Sequence, residues 1–411
     1  MFPNTLRAAA LAAALLPTTW SVAAPLSLDQ ATDLAVQRSH STRSARAGAT
    51  SAAEMARAAG QQPDPMLSVG IDNLPATGNR RFSTSAEDMT MKRIGLAQEW
   101  VSAEKRTARQ AAAQALVARE SAMEKLAAAE ARLQAAKAYV EAYYAAQALA
   151  LTMLNEKHAR EELEAGKGRL ATVSGNSAEV LALAGAMGTA EDESADVRQQ
   201  QGVAAAALER WTGRTADDFS EPRWPVVPTM DQFVAFHPLV VAKQRDVEVT
   251  RQDVQLARLN RRPNWTYEVS YGQRQGRPDL MSFGVNIPLA VAPEARQDRE
   301  TASRQALVEK AESEFEEARR DAAGEYAALQ GESKLLQQRI ERLQTGVLKP
   351  LHQRTAATLA AYRSNQASLV MLFEARHAEL QAQRRLLSLQ RDLARTGVQL
   401  AFKPIAQEAA Q

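Results

Sequence analysis

The 411-residue sequence contains no cysteine, which excludes disulfides, thiolate metal sites and a lipid-bearing cysteine. Aromatic residues make up only 5%, which argues against one ordinary globule. Neither sign of charge prevails. Fifty Lys and Arg face 48 Asp and Glu, for a net charge of +2. Such a balance offers no basic face for nucleic acid, so none is expected as a partner. Beyond the N-terminal region there is no run of about 18 apolar residues, so the mature chain carries no expected transmembrane helix. If it spans a membrane, it does so as a barrel. Signatures of catalysis are missing too: there is no Ser/His/Asp set, no Gly-rich phosphate loop and no HExxH motif. The five histidines, His40, His158, His237, His352 and His377, include no i, i+4 pair; His352 and His377 fall on helices that can be antiparallel neighbours, so a shared site is open to them, with solvated helix surface the commoner role. No enzyme activity, cofactor or metal site is expected. What fills the sequence is Ala, Gln, Arg, Glu and Leu, the composition of long helices and coiled coils.

The N-terminus has the pattern of a secretory signal. Arg7 supplies positive charge, an apolar stretch covers 8–16, and small residues follow at Ser21-Val22-Ala23-Ala24. Cleavage after Ala23 makes 1–23 the expected signal peptide, because cutting one residue later would leave Pro25 at the new terminus. Export without lipidation is the expectation.

The remainder repeats its order of features about 190 to 200 positions apart, implying duplicated halves rather than a short solenoid repeat. The expected first repeat is 24–211. It has a helix after Leu28, extended stretches at 67–73 and 89–100 around a loop at 75–85, and long helices over about 103–211. A Pro- and Thr-rich linker spans 212–236. The second repeat, 237–402, has a helix over 239–260, extended stretches at 264–272 and 281–289, and long helices over about 293–402, before a tail at 403–411.

The extended stretches alternate with period two. Trp265, Tyr267, Val269 and Tyr271 share one face, as do Met281, Phe283, Val285 and Ile287, while Ser, Thr, Gly and Asn take the other. That pattern suits a barrel with lipid outside and water inside, though a half-buried soluble sheet gives the same alternation. In the 89–100 stretch, Lys92-Arg93 interrupts the phase. Two features favour the barrel: the hairpins stand alone between long helices, and Trp100, Trp265, Tyr267, Tyr271 and Phe283 supply aromatic residues suited to a membrane interface. Trp100 ends one strand and Trp265 begins another, which puts both at one rim. Four strands cannot close a membrane barrel, whose minimum is about eight, so the wall must be shared between subunits. The fold class is therefore mainly α with a small membrane β-barrel part. Met66, Met89, Met91 and Met281 lie in the strand regions; thioethers bind Cu(I), but packing or lipid contact is the commoner role.

The two long helical runs each meet a corner. The first breaks at Gly166-Lys167-Gly168 or at Ser174-Gly175-Asn176, with Ser177 a candidate cap; the second breaks at Arg363-Ser364-Asn365-Gln366, with Ser368 in the same position. Pro350 is expected to kink the second run or force a local defect. If the returning helices line an entrance, Glu179, Arg363, Glu374 and Arg376 are candidates for ion-pair latches.

Together the duplicated halves, the His237-Pro238 helix start leading to Arg262-Pro263 and a strand, and the Gly/Asn corners resemble the TolC-like outer-membrane factors. These are the exit ducts of tripartite efflux pumps and type I secretion systems. The resemblance covers nearly the whole mature chain. It implies a homotrimer in outer-membrane lipid, a shared twelve-stranded barrel and a coiled-coil α-helical tunnel through the periplasm of a Gram-negative bacterium. It also implies a periplasmic adaptor, met at Gly168, Gly175, Asn176, Ser177, Arg363, Ser364, Asn365 and Gln366, and an inner-membrane transporter of the RND type. The segments 64–75 and 98–106 are most similar to the heavy-metal branch, the CusC- and CzcC-like ducts, which makes metal cations the leading cargo. Drugs or other organic compounds, or type I secretion, are the alternatives within transport. From another class comes a periplasmic coiled-coil adaptor or scaffold, which would lack the paired amphipathic hairpins.

Overall fold

A computed structural model describes residues 25–172, 176–215, 218–224 and 226–405. The expected signal peptide and the end of the expected tail, 406–411, lie outside these residues. The first half comprises α1 (Leu28–Arg38), α2 (His40–Ala59), β1 (Met66–Asp72), β2 (Met91–Trp100), α3 (Ala103–Ala171) and α4 (Ser177–Thr212). A short helix α5 (Met230–Ala235) follows the linker. The second half comprises α6 (Pro238–Leu259), β3 (Trp265–Arg274), β4 (Leu280–Asn286), α7 (Gln297–Leu343), α8 (Lys349–Arg363) and α9 (Leu369–Phe402). Equivalent strands and helices start about 190 to 200 residues apart, so the duplication read in the sequence is a duplication of structure.

A seven-residue rhythm explains why such long helices are stable. Along α3 the buried positions include Ala115, Ala122, Ala129 and Ala136, and on another line Thr152, Ala159 and Gly166. The rhythm recurs in Leu183, Ala190 and Val197 of α4 and in Val240, Val247 and Val254 of α6. It recurs again in Ala375, Ala382, Leu389 and Thr396 of α9. A heptad keeps one seam facing a partner only if the helices coil left-handedly around each other. Because nearly half of these knobs are Ala, neighbouring helices approach closely along those seams. With 69 residues, α3 extends about 100 Å.

The second helical run carries the local defect the sequence predicts, without ending there. Between α7 and α8 the chain makes a π turn, Gln344–Leu348, directly before Pro350. Proline brings no N–H and its ring crowds the carbonyl four residues back, here that of Gly346. The wider turn absorbs that conflict without ending the helix.

The largest cluster of buried apolar residues among those described lies around the middle of α3. Leu26, Leu28, Leu133, Tyr139, Val140, Leu208 and Val398 cluster where α1, α3, α4 and α9 meet. Leu26 forms a parallel bridge with Phe219 of the linker. The fully buried Tyr139 hydroxyl lies 2.9 Å from the Leu26 carbonyl oxygen and 2.7 Å from that of Ser220. The expected linker is thus tied to the N-terminal segment and belts the helices.

Candidate functional site

The four strands form a single antiparallel sheet in the order β1-β2-β3-β4. The hairpins of the two halves join through β2 and β3, whose ten paired positions run from Met91 opposite Arg274 to Trp100 opposite Trp265. The Trp pair therefore sits at one rim, the rim from which α3 departs. Register assigns every side chain to a face. Leu67, Val69 and Ile71 lie with Ile94, Leu96 and Trp100, with Trp265, Tyr267 and Tyr271, and with Met281, Phe283 and Val285. These twelve apolar side chains are 40% to 80% exposed. Leaving them in water would cost on the order of 10–20 kcal/mol relative to an apolar surrounding. All five expected interface aromatics, Trp100, Trp265, Tyr267, Tyr271 and Phe283, belong to this face. The interruption expected at Lys92-Arg93 is absent. Lys92 takes an apolar-face position beside Ile71 and Gln273, at the rim farthest from the helices, while Arg93 takes the opposite face. A long lysine at a rim can reach the polar boundary.

The opposite face carries Ser68, Glu268, Ser270, Ser282 and glycines, with Met66, Met91 and Leu280 toward its ends, and among the described residues no helix covers it. Residues along β1 and β4 are exposed on both faces, and among the described residues the sheet has neither a covering layer nor a partner for its two edge strands. Among the described residues no helix is long and apolar enough to cross a membrane.

Several buried polar contacts fasten the sheet to the helices. Gln62 imitates a strand neighbour: its side-chain oxygen accepts the Val101 N–H and its amide donates to the Val101 carbonyl, each at 3.0 Å. The Lys105 ammonium, buried at the start of α3, donates to the Arg262 carbonyl at 2.5 Å and to Asn264 Oδ1 at 2.9 Å. Burial and the nearby Arg109 lower the Lys105 pKa, against the pull of Glu99. The first half thereby grips the segment that leads into β3. Nothing in the spacing of charges marked this lysine out.

At the far end of the helices lie the two corners. The sequence suggested a break at Gly166-Lys167-Gly168, but α3 runs through all three residues to Ala171. Gly166 serves packing instead: a Cβ there would fall 2.8 Å from Leu183 Cδ1 on α4. Gly168 lies within the last turn of α3 with open space around it. The first helix of the returning pair is capped by Asn176, whose side chain accepts the Ala178 N–H at 2.9 Å, and Ser177 is already the first helical residue. Gly175 falls outside the described residues. In the second corner Asn365 adopts φ 61°. The Gln366 N–H reaches the Ala361 carbonyl at 2.8 Å and the Asn365 N–H that of Tyr362 at 3.0 Å, the paired bonds of a Schellman ending. Ser368 caps α9 by accepting the Met371 N–H at 3.2 Å. Arg363, Ser364, Asn365 and Gln366 are all exposed.

Two of the four expected latch residues are engaged within the chain. Glu179 Oε1 accepts the Leu369 backbone N–H at 3.0 Å, joining the two corners. Arg376 forms an ion pair with Glu162 of α3, whose side chain is 5% exposed. Burial raises the Glu162 pKa despite the opposing pull of Arg376, and Glu162 Oε2 has no partner. Glu374 and Arg363 are exposed. His352 and His377 do not share a site. His352 Nδ1 lies 2.8 Å from Glu379 and His377 Nε2 lies 3.8 Å from Glu193. Met66, Met89 and Met281 are exposed and Met91 is half-buried. Among the described residues no three His, Asp or Glu side chains are grouped to hold a metal ion.

The chain matches no protein-family model and no curated protein sequence. Its fold is nevertheless shared with solved outer-membrane channel structures. The outer membrane protein VceC of Vibrio cholerae superposes with a TM-score of 0.72 at 19% identity, over 92% of this chain and 96% of that one. The Campylobacter jejuni CmeC outer membrane channel gives 0.75 at 12% identity, over 93% and 87%. CusC, described in terms of folding and transmembrane channel formation, gives 0.70 at 14% identity, over 92% of each. Likeness at these identities is one of fold, and CusC does not stand apart from the others.

Proposed function

We propose that the chain is one subunit of an outer-membrane efflux duct, a passive homotrimeric channel that crosses the outer membrane as a barrel and the periplasm as a helical tunnel. One observation carries this reading: a four-stranded sheet with two open edges and an exposed apolar face, set on coiled helices that leave one of its ends. In lipid every backbone group needs a partner, so such a sheet is stable only when closed by copies of itself. Strands alternate in direction, so β4 of one copy lies antiparallel to β1 of the next. Three copies give twelve strands and an open lumen, where two give about eight and a lumen filled by side chains. The whole-length likeness to VceC, CmeC and CusC supports the same assembly.

In that assembly the corners face the periplasm. The exposed residues Gly168, Asn176, Ser177, Arg363, Ser364, Asn365 and Gln366 form the surface offered to a periplasmic adaptor and through it to an RND-type transporter. Glu374 and Arg363 are the residues left for an entrance latch between subunits, since Glu179 and Arg376 already have partners in their own chain. Heavy-metal cations are the proposed cargo, on the resemblance of 64–75 and 98–106 to metal ducts.

The decisive experiment is extraction of the mature protein. It is expected in the outer-membrane fraction as a heat-modifiable trimer that forms conducting channels in planar bilayers. A water-soluble monomer without affinity for detergent or bilayers refutes the reading. For the cargo, deletion is expected to sensitise the host to metal salts; sensitivity to organic drugs alone reassigns it.

A further inference from the structure

We propose that Asp72, Arg93 and Glu268 form the element that sets ion selectivity in the barrel section of the pore, and that it favours cations. The inference rests on the duct reading above and adds a specificity determinant to it.

The three residues come from three adjacent strands and share the face opposite the apolar one. Arg93 Nε lies 3.1 Å from the Asp72 carboxylate, and Arg93 Nη1 lies 3.7 Å from that of Glu268. Their side chains are 38%, 34% and 33% exposed, enough to be felt by passing ions but held in place by one another. Gly70 and Gly272 stand opposite Arg93 on the flanking strands, the Met91 side chain lies over Gly272, and Leu280 pairs with Gly272 on the next strand. The other charges on this face are engaged toward the rims. Glu99 accepts the Asn264 side-chain amide at 2.7 Å, and Arg274 donates to the Pro278 carbonyl at 2.9 Å. Those two cancel in sign, so the face as a whole keeps the triad's balance of two carboxylates against one guanidinium, although Arg274 shares the rung of Asp72.

Closure by three copies repeats that unit around the lumen. The excess is then one negative charge per chain, fixed roughly 8 Å from the axis of a twelve-stranded barrel. Rings of fixed charge select ions by sign, and the effect fades as salt shortens the screening length. Arg93 moderates the ring: it halves the charge and clamps both carboxylates against the wall, a setting suited to cations that must leave as readily as they enter.

Single channels of the full-length mature protein test this through the zero-current potential across a KCl gradient. Changing Arg93→Gln is expected to raise the permeability of K⁺ over Cl⁻ roughly tenfold at about 0.1 M salt and by less than about twofold at 1 M, as expected for three added charges in a water-filled pore. Glu268→Gln is expected to lower the same ratio by a similar factor. Channels of wild-type conductance whose potentials are unchanged in both variants overturn the proposal and leave the duct reading standing. Failure of the wild-type protein to conduct overturns the duct reading and this proposal with it. Should the Arg93 variant not assemble, the Glu268 variant decides alone, by the presence or absence of its shift.

Discussion

Two neighbouring residues on β4 separate a membrane wall from a soluble sheet. Phe283 is 80% exposed and pairs with Val269, four residues along β3 from the rim marked by Trp265. At about 3.4 Å per residue and a tilt near 45°, Val269 stands roughly 10 Å above that rim, close to the centre of an apolar band about 25 Å tall. An arginine at this depth on a lipid face costs about 2–4 kcal/mol per chain. Three copies in one barrel make that roughly 6–12 kcal/mol per assembly. Ser282 occupies the next position on the other face, opposite Ser270, where an arginine meets water and costs close to nothing. Val285 pairs with Tyr267, only about 5 Å from the rim by the same geometry, and an arginine there costs about 0–1 kcal/mol.

The expected order of stability is therefore Ser282→Arg, Val285→Arg, then Phe283→Arg as the weakest. Guanidinium unfolding of protein refolded into lipid vesicles measures it, followed through the fluorescence of Trp100 and Trp265 at the rim. The heat-modifiable oligomer provides a second readout. If Phe283→Arg is as stable as Ser282→Arg, the apolar face does not meet lipid and the reasoning fails. A large penalty at Ser282 with none at Phe283 would mean that the faces are reversed.

Three further outcomes follow from the helices. Gly166→Ala is expected to weaken the α3–α4 contact by about 1–3 kcal/mol, because its Cβ would press on Leu183. Gly168→Ala, with open space around it, is expected to stabilise α3 by about 0.5–1 kcal/mol, and thermal loss of the oligomer separates the two. Arg376→Met strands the buried Glu162 carboxylate, at a cost of about 3–5 kcal/mol. An acid whose folded pKa is raised loses stability as pH climbs past its ordinary value near 4.5, so this defect is expected to shrink on acidification and to vanish in a Glu162→Leu/Arg376→Met double variant. His237 is buried with Nδ1 unpartnered. Burial first, and Lys403 second, lower its pKa against the pull of Glu325. Its neutral form contributes stability that is complete above about 6.5 and lost as pH falls toward the lowered folded value, and His237→Asn is expected to flatten denaturation midpoints measured across that window.

The strands were legible because period-two alternation leaves a side chain only two faces, and their observed limits lie within a few residues of those read from the pattern. Even the apparent flaw at Lys92-Arg93 obeyed the alternation once the register put lysine at a rim. The corner at Gly166-Lys167-Gly168 misled for a physical reason. Glycine ends helices by tolerating left-handed backbone, but it also admits a neighbour's side chain, and composition alone does not distinguish the two uses. Spacing does: Thr152, Ala159 and Gly166 stand seven apart on a buried seam, which makes Gly166 a packing position. The same search finds Asn155 and Glu162 seven apart and buried, a polar line inside the wall that marks Glu162 for an ion pair. Arg376, expected at a latch, went to that carboxylate because an isolated buried charge is far more costly than an exposed one. Lys105 had no such signal, since its partners are a carbonyl and an amide from the other half.

Thin construction is common to both parts of the chain. Ala seams bring the long helices close together, and the sheet is one layer by nature, so away from the cluster around Tyr139 neither part has much of an inside of its own. A single-layer wall leaves one side to water and needs another environment, or another copy, on the other. On the proposed reading the helices meet that need with further coiled neighbours, and the strands with lipid outside and a shared lumen within. Duplication fits the same logic. The β2–β3 pairing already joins one half to the other across ten positions, and the proposed β4–β1 joint between chains repeats that junction with the halves in the opposite order. On this view six hairpins of two slightly different kinds close the ring, and the strongest geometric demand on each is that its two edges match those of its neighbours.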